Sequence, residues 1–195
     1  MGTLVTTVAH LLDHVLPAIE EYELAEASLS KAHASGDWSA EAKTARRKAA
    51  ELAVAMDGLA DRVQQELHLP LETIRAEVSK LCLWPNSTLS RQEAFERVHG
   101  VANAYKHSEL KKPSHVLRSF DDVLAVGLGF GLDGFGVGKF SGVEVLVKDK
   151  QARSWKFLGD VPVVLNGWCS FLTMNGAALP KTTLHVCGLD ISIGQ

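Results

Sequence analysis

The sequence predicts an α+β protein, with an N-terminal antiparallel helical bundle at residues 1–112 and a smaller α+β part at 113–195 holding a glycine-rich segment, a β-hairpin and a helix. Three observations carry this reading. Apolar residues recur at alternating spacings of three and four through the first part, the period of a helix packed along one face. Beyond Phe120, glycines alternate with apolar residues from Gly127 to Gly142, a pattern that a continuous helix does not tolerate. The composition, 46% hydrophobic and 22% charged over 195 residues, is that of a globular chain able to bury a core without metal or disulfide staples, so the two parts can share one core.

The first seam runs Leu4, Val8, Leu11, Val15, Ala18, Tyr22, Ala25 and Leu29, and Pro17 inside it predicts a kink or local break. Gly36 suits a helix C-cap, and Asp37 or Ser39 an N-cap for a second seam of Ala42, Ala45, Ala49, Leu52, Met56, Leu59 and Val63. Folding the two helices back on each other sets Glu20, Glu23 and Glu26 near Lys43, Arg46, Arg47 and Lys48. Such exposed pairs contribute ~0–1 kcal/mol each, so they select the register while the seam supplies stability.

A third helix is predicted over 70–83, with Leu71, Ile74, Val78 and Leu81 on one face and Trp84-Pro85 ending it. Ser90 followed by Glu93 reads as a capping box for a fourth, whose stripe of Phe95, Val98, Ala102 and Tyr105 continues to about Leu110. Lys111-Lys112-Pro113 stops it. The runs 143–148 and 153–158 predict a hairpin around Asp149-Lys150-Gln151-Ala152. In 160–175, Asn166-Gly167 offers a hairpin turn, while Val161, Val164, Leu165, Trp168, Phe171 and Leu172 fit a helix capped by Asp160 and closed by Gly176; the helix is favoured.

Several function classes are disfavoured. With 11 basic and 16 acidic residues up to Leu110, and 9 and 7 after it, neither half has the cationic excess of an electrostatic nucleic-acid binder. No apolar run approaches the ~20 residues of a membrane span, and the N-terminus has no signal-peptide pattern, so the expectation is a cytoplasmic chain without a membrane partner. Cys82, Cys169 and Cys187 are odd in number and widely spaced, which fits buried thiols rather than a disulfide framework.

The most suggestive segment is the fourth helix, where Glu96, His99, Asn103 and His107 fall on one face at 100° per residue, with Lys106 beside them. An amphipathic helix presents such a face to solvent by default. The segment Ala102-Asn103-Ala104-Tyr105-Lys106-His107 also resembles the Arg-Asn-three-residues-His motif of HEPN domains, helical bundles found in prokaryotic RNases and in non-catalytic nucleotide-binding relatives. The resemblance implies a homodimer in which two copies of the motif meet, a ligand of the nucleotide or RNA class, and Asn103 and His107 as the motif residues. In catalytic members an arginine joins the histidine on the scissile phosphate. Here Ala102 stands at that position and the nearest arginine is Arg97, five residues upstream.

Histidine also suggests metal. His10 and His14 are spaced i, i+4, and Glu96-Arg97-Val98-His99 is a Glu-x-x-His element, of which di-iron bundles need two plus two further glutamates. The set is incomplete, so no metal and no cofactor is expected; a mononuclear site from His10, His14 and a third histidine is the alternative. The stretch Gly129-Phe130-Gly131-Leu132-Asp133-Gly134 fits GxGxxG and Gly138-Lys139 the end of a Walker motif, but Phe140 replaces the Ser or Thr and no strand-loop-helix context surrounds them, so a structural or mobile loop is expected. The expected function is a non-catalytic, HEPN-like binding or assembly module with a polar groove of Glu96, His99, Asn103, Lys106 and His107. Its rivals are an RNA-processing enzyme using Asn103 and His107, and a metal-dependent helical-bundle enzyme.

Overall fold

The computed structural model describes residues 4–107, 109–111, 115–127 and 143–194 and is mixed α+β. Helix α1 (Val5–His10), a π-helical turn (Leu11–Val15) and helix α2 (Leu16–Ser35) follow one another without interruption. The predicted break takes the form of this π turn, which ends just before Pro17 in the first turn of α2. Proline donates no backbone hydrogen bond, so the local ladder must be rearranged where it enters.

Gly36 closes α2 at φ 99°, with its N–H on the carbonyls of Ala32 and His33, a conformation that glycine adopts without a Cβ penalty. Helix α3 (Ser39–Leu67) then returns antiparallel: Thr7 Oγ1 donates to Glu66 at 2.6 Å, His10 Nε2 meets the Ala55 carbonyl at 2.8 Å, and Lys48 pairs with Glu21 at 2.6 Å. Trp38 occupies the N-cap position and its side chain makes no cap bond, while Asp37 just before it accepts from the Ser39 N–H at 3.4 Å. The expected glutamate–basic register is corrected in detail. Glu23 accepts from the Cys187 N–H, and Glu26 is buried, accepting from the Tyr22 hydroxyl at 2.6 Å and the Val145 N–H at 2.9 Å.

Helix α4 spans Leu71–Lys80, with Pro70 as its extended N-cap and Ile74 and Val78 buried. Helix α5 spans Ala94–Lys106, and the capping box expected at Ser90 and Glu93 does not form. Ser90 instead bridges Leu83, and Glu93 adopts φ 56°. Glu93 itself becomes the N-cap residue, with its carboxylate on Arg153 at 2.7 Å, while Arg91 beside Ser90 reaches Asp160 at 2.6 Å. Tyr105, expected in the buried stripe, is 45% exposed and leans on Phe120. Ala104 is buried in its place because α5 lies against α3, α4 and a further helix at once.

Strands β1 (Val123–Gly127), β2 (Val143–Lys148) and β3 (Ser154–Lys156) form an antiparallel sheet in that order. The β2–β3 hairpin forms as expected, but its second strand stops at Lys156, because Phe157 and Leu158 of the predicted run begin the next helix. Because β3 pairs β2 only from Leu146 onward, the Val145 N–H would be left open, and the Glu26 carboxylate fills it. The GxGxxG, the Walker-like pair and the Asp133-Gly134 turn all lie outside the described residues.

Helix α6 (Phe157–Met174) confirms the helical reading of the ambiguous segment, with Gly176 at φ 77° just past its end. Asp160 is not its cap; it lies inside the first turn, fully buried. By length and composition α6 alone among the described residues qualifies to cross a membrane, at mean hydropathy 1.2, but 67% of it is buried in the protein. An all-round apolar helix so enclosed is a core helix. A final hairpin, β4 (Thr182–Val186) and β5 (Leu189–Ile193), has no counterpart in the sequence reading although its apolar residues alternate. A single hydrophobic cluster runs from Leu4 to Ile193, so the parts divided at residue 112 share one core.

Candidate functional site

Three helices converge on one buried carboxylate. Asp57 on α3, 7% exposed, accepts from His99 Nδ1 of α5 at 2.7 Å, from Arg75 of α4 at 3.3 Å and from Lys106 of α5 at 3.2 Å. The Asn103 side-chain nitrogen lies 2.9 Å from His99 Nε2, one turn further along the same helix. Phe95 stacks against the His99 ring at 6.4 Å and 15°, fixing its plane. Both ring nitrogens of His99 are therefore engaged, one by a carboxylate and one by an amide.

Burial pushes the Asp57 carboxyl upward, but the hydrogen bond and charge of His99, with Arg75 and Lys106 behind them, outweigh it and hold it below its ordinary 3.8. The site is thus an ionised carboxylate under two permanent cations, with Arg75 27% and Lys106 38% exposed at its rim. Beneath it Met56, Phe95, Val164 and Trp168 close against Asp57 and His99 and leave no space for a water molecule.

The polar face predicted on α5 is real, but much of it turns onto neighbouring helices of the same chain. His99 turns onto α3, Asn103 bonds the His99 ring on its own helix, and Glu96 accepts from Ser79 of α4 at 2.7 Å. His107 stands apart: it is the exposed C-cap of α5, its backbone N–H on the Asn103 carbonyl. Asp57 and Arg75 escaped the sequence reading, since each looks like an ordinary surface charge. The available signal was Asp57 between Met56 and Leu59, inside the α3 seam.

Arg97, the nearest arginine to the missing motif position, is fully buried and serves a different purpose. Its Nε and one terminal nitrogen grip both Asp160 oxygens at 2.8 and 2.7 Å, its other terminal nitrogen donates to the Gln92 carbonyl, and its guanidinium lies 4.2 Å from the Trp155 ring centre. Arg91 shares the same carboxylate and donates to the Lys156 carbonyl. This forked, stacked arrangement ties α5 to α6 and withdraws Arg97 from any external phosphate.

The histidines at the other end of the bundle are separated by environment. His10 is buried against α3, and burial lowers its pKa from 6.5, whereas His14 is exposed with its ring centre 4.9 Å away. Among the described residues, no three His, Cys, Asp or Glu side chains gather as a metal-ligand set. The cysteines are free, with Cys82 and Cys169 pushed by burial to about 12, which makes them inert thiols. Comparison of the chain with family models, with curated proteins and with solved structures returns no match.

Proposed function

We propose that the protein is a non-catalytic binding and assembly module, HEPN-like, that works as a homodimer and takes an anionic ligand of the nucleotide or RNA class at the rim of Arg75, Asn103, Lys106 and His107. The observation that carries this reading is the convergence of Arg75, His99 and Lys106 on a single carboxylate. Arg75 and Lys106 set two positive charges against the single negative charge of Asp57 between them, while the Glu96 carboxylate in the same groove is engaged by Ser79. A phosphate oxygen can share the outer donors of both side chains while Asp57 keeps them in place.

Catalysis is disfavoured by the same geometry. A general base needs a ring nitrogen open to its proton donor, and His99 offers neither while Asn103 and Asp57 hold it. One observation favours the rival enzyme reading: a carboxylate on Nδ1 is the orienting half of a catalytic dyad. In that reading the acting histidine is His99, assisted by Asn103, rather than His107.

The test titrates labelled single-stranded RNA and a nucleotide panel against the protein at several salt concentrations, with sedimentation and denaturing gels in parallel. A dimer that binds RNA intact is expected. Lys106→Ala should weaken binding about tenfold and lower the salt slope by about 0.7, the counterion release of one single-strand phosphate contact. Cleavage abolished by His99→Ala would transfer the protein to the enzyme class. A strict monomer that binds neither ligand would overturn both.

A further inference from the structure

We propose that His10 and His14 form a two-histidine site for a divalent transition-metal ion of the zinc, copper or nickel kind, at the start of the bundle and separate from the Asp57 cluster. The sequence offers only an i, i+4 pair, too little to carry this. The structure adds a ring held by a backbone carbonyl, a buried nitrogen without a hydrogen-bond partner among the described residues, and the nearness of the second ring.

His10 is 8% exposed, and its Nε2 faces the Ala55 carbonyl of α3 at 2.8 Å, so that nitrogen carries the proton. The tautomer leaves Nδ1 with a lone pair. That atom is buried and has no hydrogen-bond partner among the described residues. A ring whose N–H is fixed by a backbone carbonyl and whose other nitrogen is left bare is the arrangement that metal-bound histidines adopt, because the outer hydrogen bond sets the ring plane and raises the basicity of the ligating nitrogen. The close fit of the ring depends on Gly58, where a Cβ would stand 3.2 Å from Nε2.

The second ligand is within reach. The His14 ring centre lies 4.9 Å from that of His10 with the ring planes 33° apart, and two imidazoles bound at ~2.0–2.1 Å to a tetrahedral ion have centres about 5 Å apart. His14 is exposed and sits in the π turn Leu11–Val15, so its ring can swing to admit the ion without disturbing the core. Such turns recur at functional positions in helices. Imidazole nitrogens select zinc, copper and nickel over magnesium or calcium, and two protein ligands leave the remaining positions to water or an added ligand. Arg62, which donates to the Gly58 carbonyl at 3.0 Å, opposes the cation and limits affinity.

The test is calorimetric titration of the chelator-treated full chain with Zn2+, with electron paramagnetic resonance of the Cu2+ form as a second readout. One ion per chain is expected, with two nitrogen couplings in the copper spectrum. His14→Ala, at an exposed position, should weaken Zn2+ at least tenfold and leave one coupling. His10→Gln retains an N–H for the Ala55 carbonyl, preserving the fold as judged by circular dichroism, and should weaken Zn2+ to the same degree. Absence of Zn2+ binding by the wild type, or binding unchanged in His14→Ala, overturns the proposal.

Discussion

At the scale of single residues, the decisive interactions are those that burial makes expensive. Asp57 and Asp160 are both buried carboxylates, but their surroundings differ: Asp160 is shared by Arg91 and Arg97 with almost no exposure, whereas the partners of Asp57 reach the surface. Losing one member of an enclosed pair strands the other charge, and such losses cost about 3–5 kcal/mol. Asp57 gives a testable pH signature. Its folded pKa lies below 3.8, so its contribution is fully present above 3.8 and is lost as the pH falls through the lower folded value. The melting temperature of Asp57→Asn should therefore lie below that of the wild type at pH 7, and the gap should close in acid. A gap that stays constant down to the lowest pH at which both variants fold would show that Asp57 acts through packing alone.

The elements are held apart by small residues as much as together by large ones. On α6, a Cβ at Gly167 would meet Cys82 Sγ at 2.9 Å and the Val78 carbonyl oxygen at 3.2 Å, so the approach of α6 to α4 needs glycine there. On α5, a Cβ at Gly100 would meet only the end of the Leu117 side chain, at 2.7 Å. Backbone cannot yield as a leucine rotamer can. Overpacking costs about 1–3 kcal/mol, and the helix gains about 1 kcal/mol when glycine becomes alanine. Gly167→Ala should lower stability by up to about 2 kcal/mol in urea unfolding, and Gly100→Ala should be close to neutral. The reverse order would show that the α4–α6 contact is looser than its geometry implies. The same closeness explains why Asn166-Gly167, so plausible as a hairpin turn, lies in mid-helix: the glycine answers a packing need, and Asn166 donates to the Leu83 carbonyl.

For the whole molecule, the consequence of one continuous core is mutual dependence. α6 fills the space beside α4 and α5, and β2 packs on α2, so residues 1–112 alone would expose the faces of three helices. Burial contributes roughly 25 cal/mol per Å² of apolar surface, and a chain of this size retains only about 5–15 kcal/mol net, so the loss exceeds the margin. A fragment of residues 1–112 should keep helical far-ultraviolet dichroism but lose the cooperative melt and the fixed aromatic signals of the full chain. A sharp, two-state melt of the fragment would restore the picture of an autonomous bundle.

The sequence by itself determined the class, the two long antiparallel helices, the β2–β3 hairpin and the polar face of α5, because each is written in local periodicity or in a turn residue. Leu11, Tyr22, Met56 and Val63 were legible as core for that reason. Tertiary structure decided what that polar face meets, since Asp57, Arg75 and His99 stand on three different helices and no spacing along the chain reports their convergence. It also decided that Glu26 closes a strand edge, that Ser90 and Glu93 form no capping box for α5, and that Arg97 belongs to Asp160, 63 residues away. In each case a side chain whose local pattern reads as surface or cap is claimed by a distant partner. Desolvating a charge is worthwhile only where that partner is already in place, and this is settled only when the helices pack.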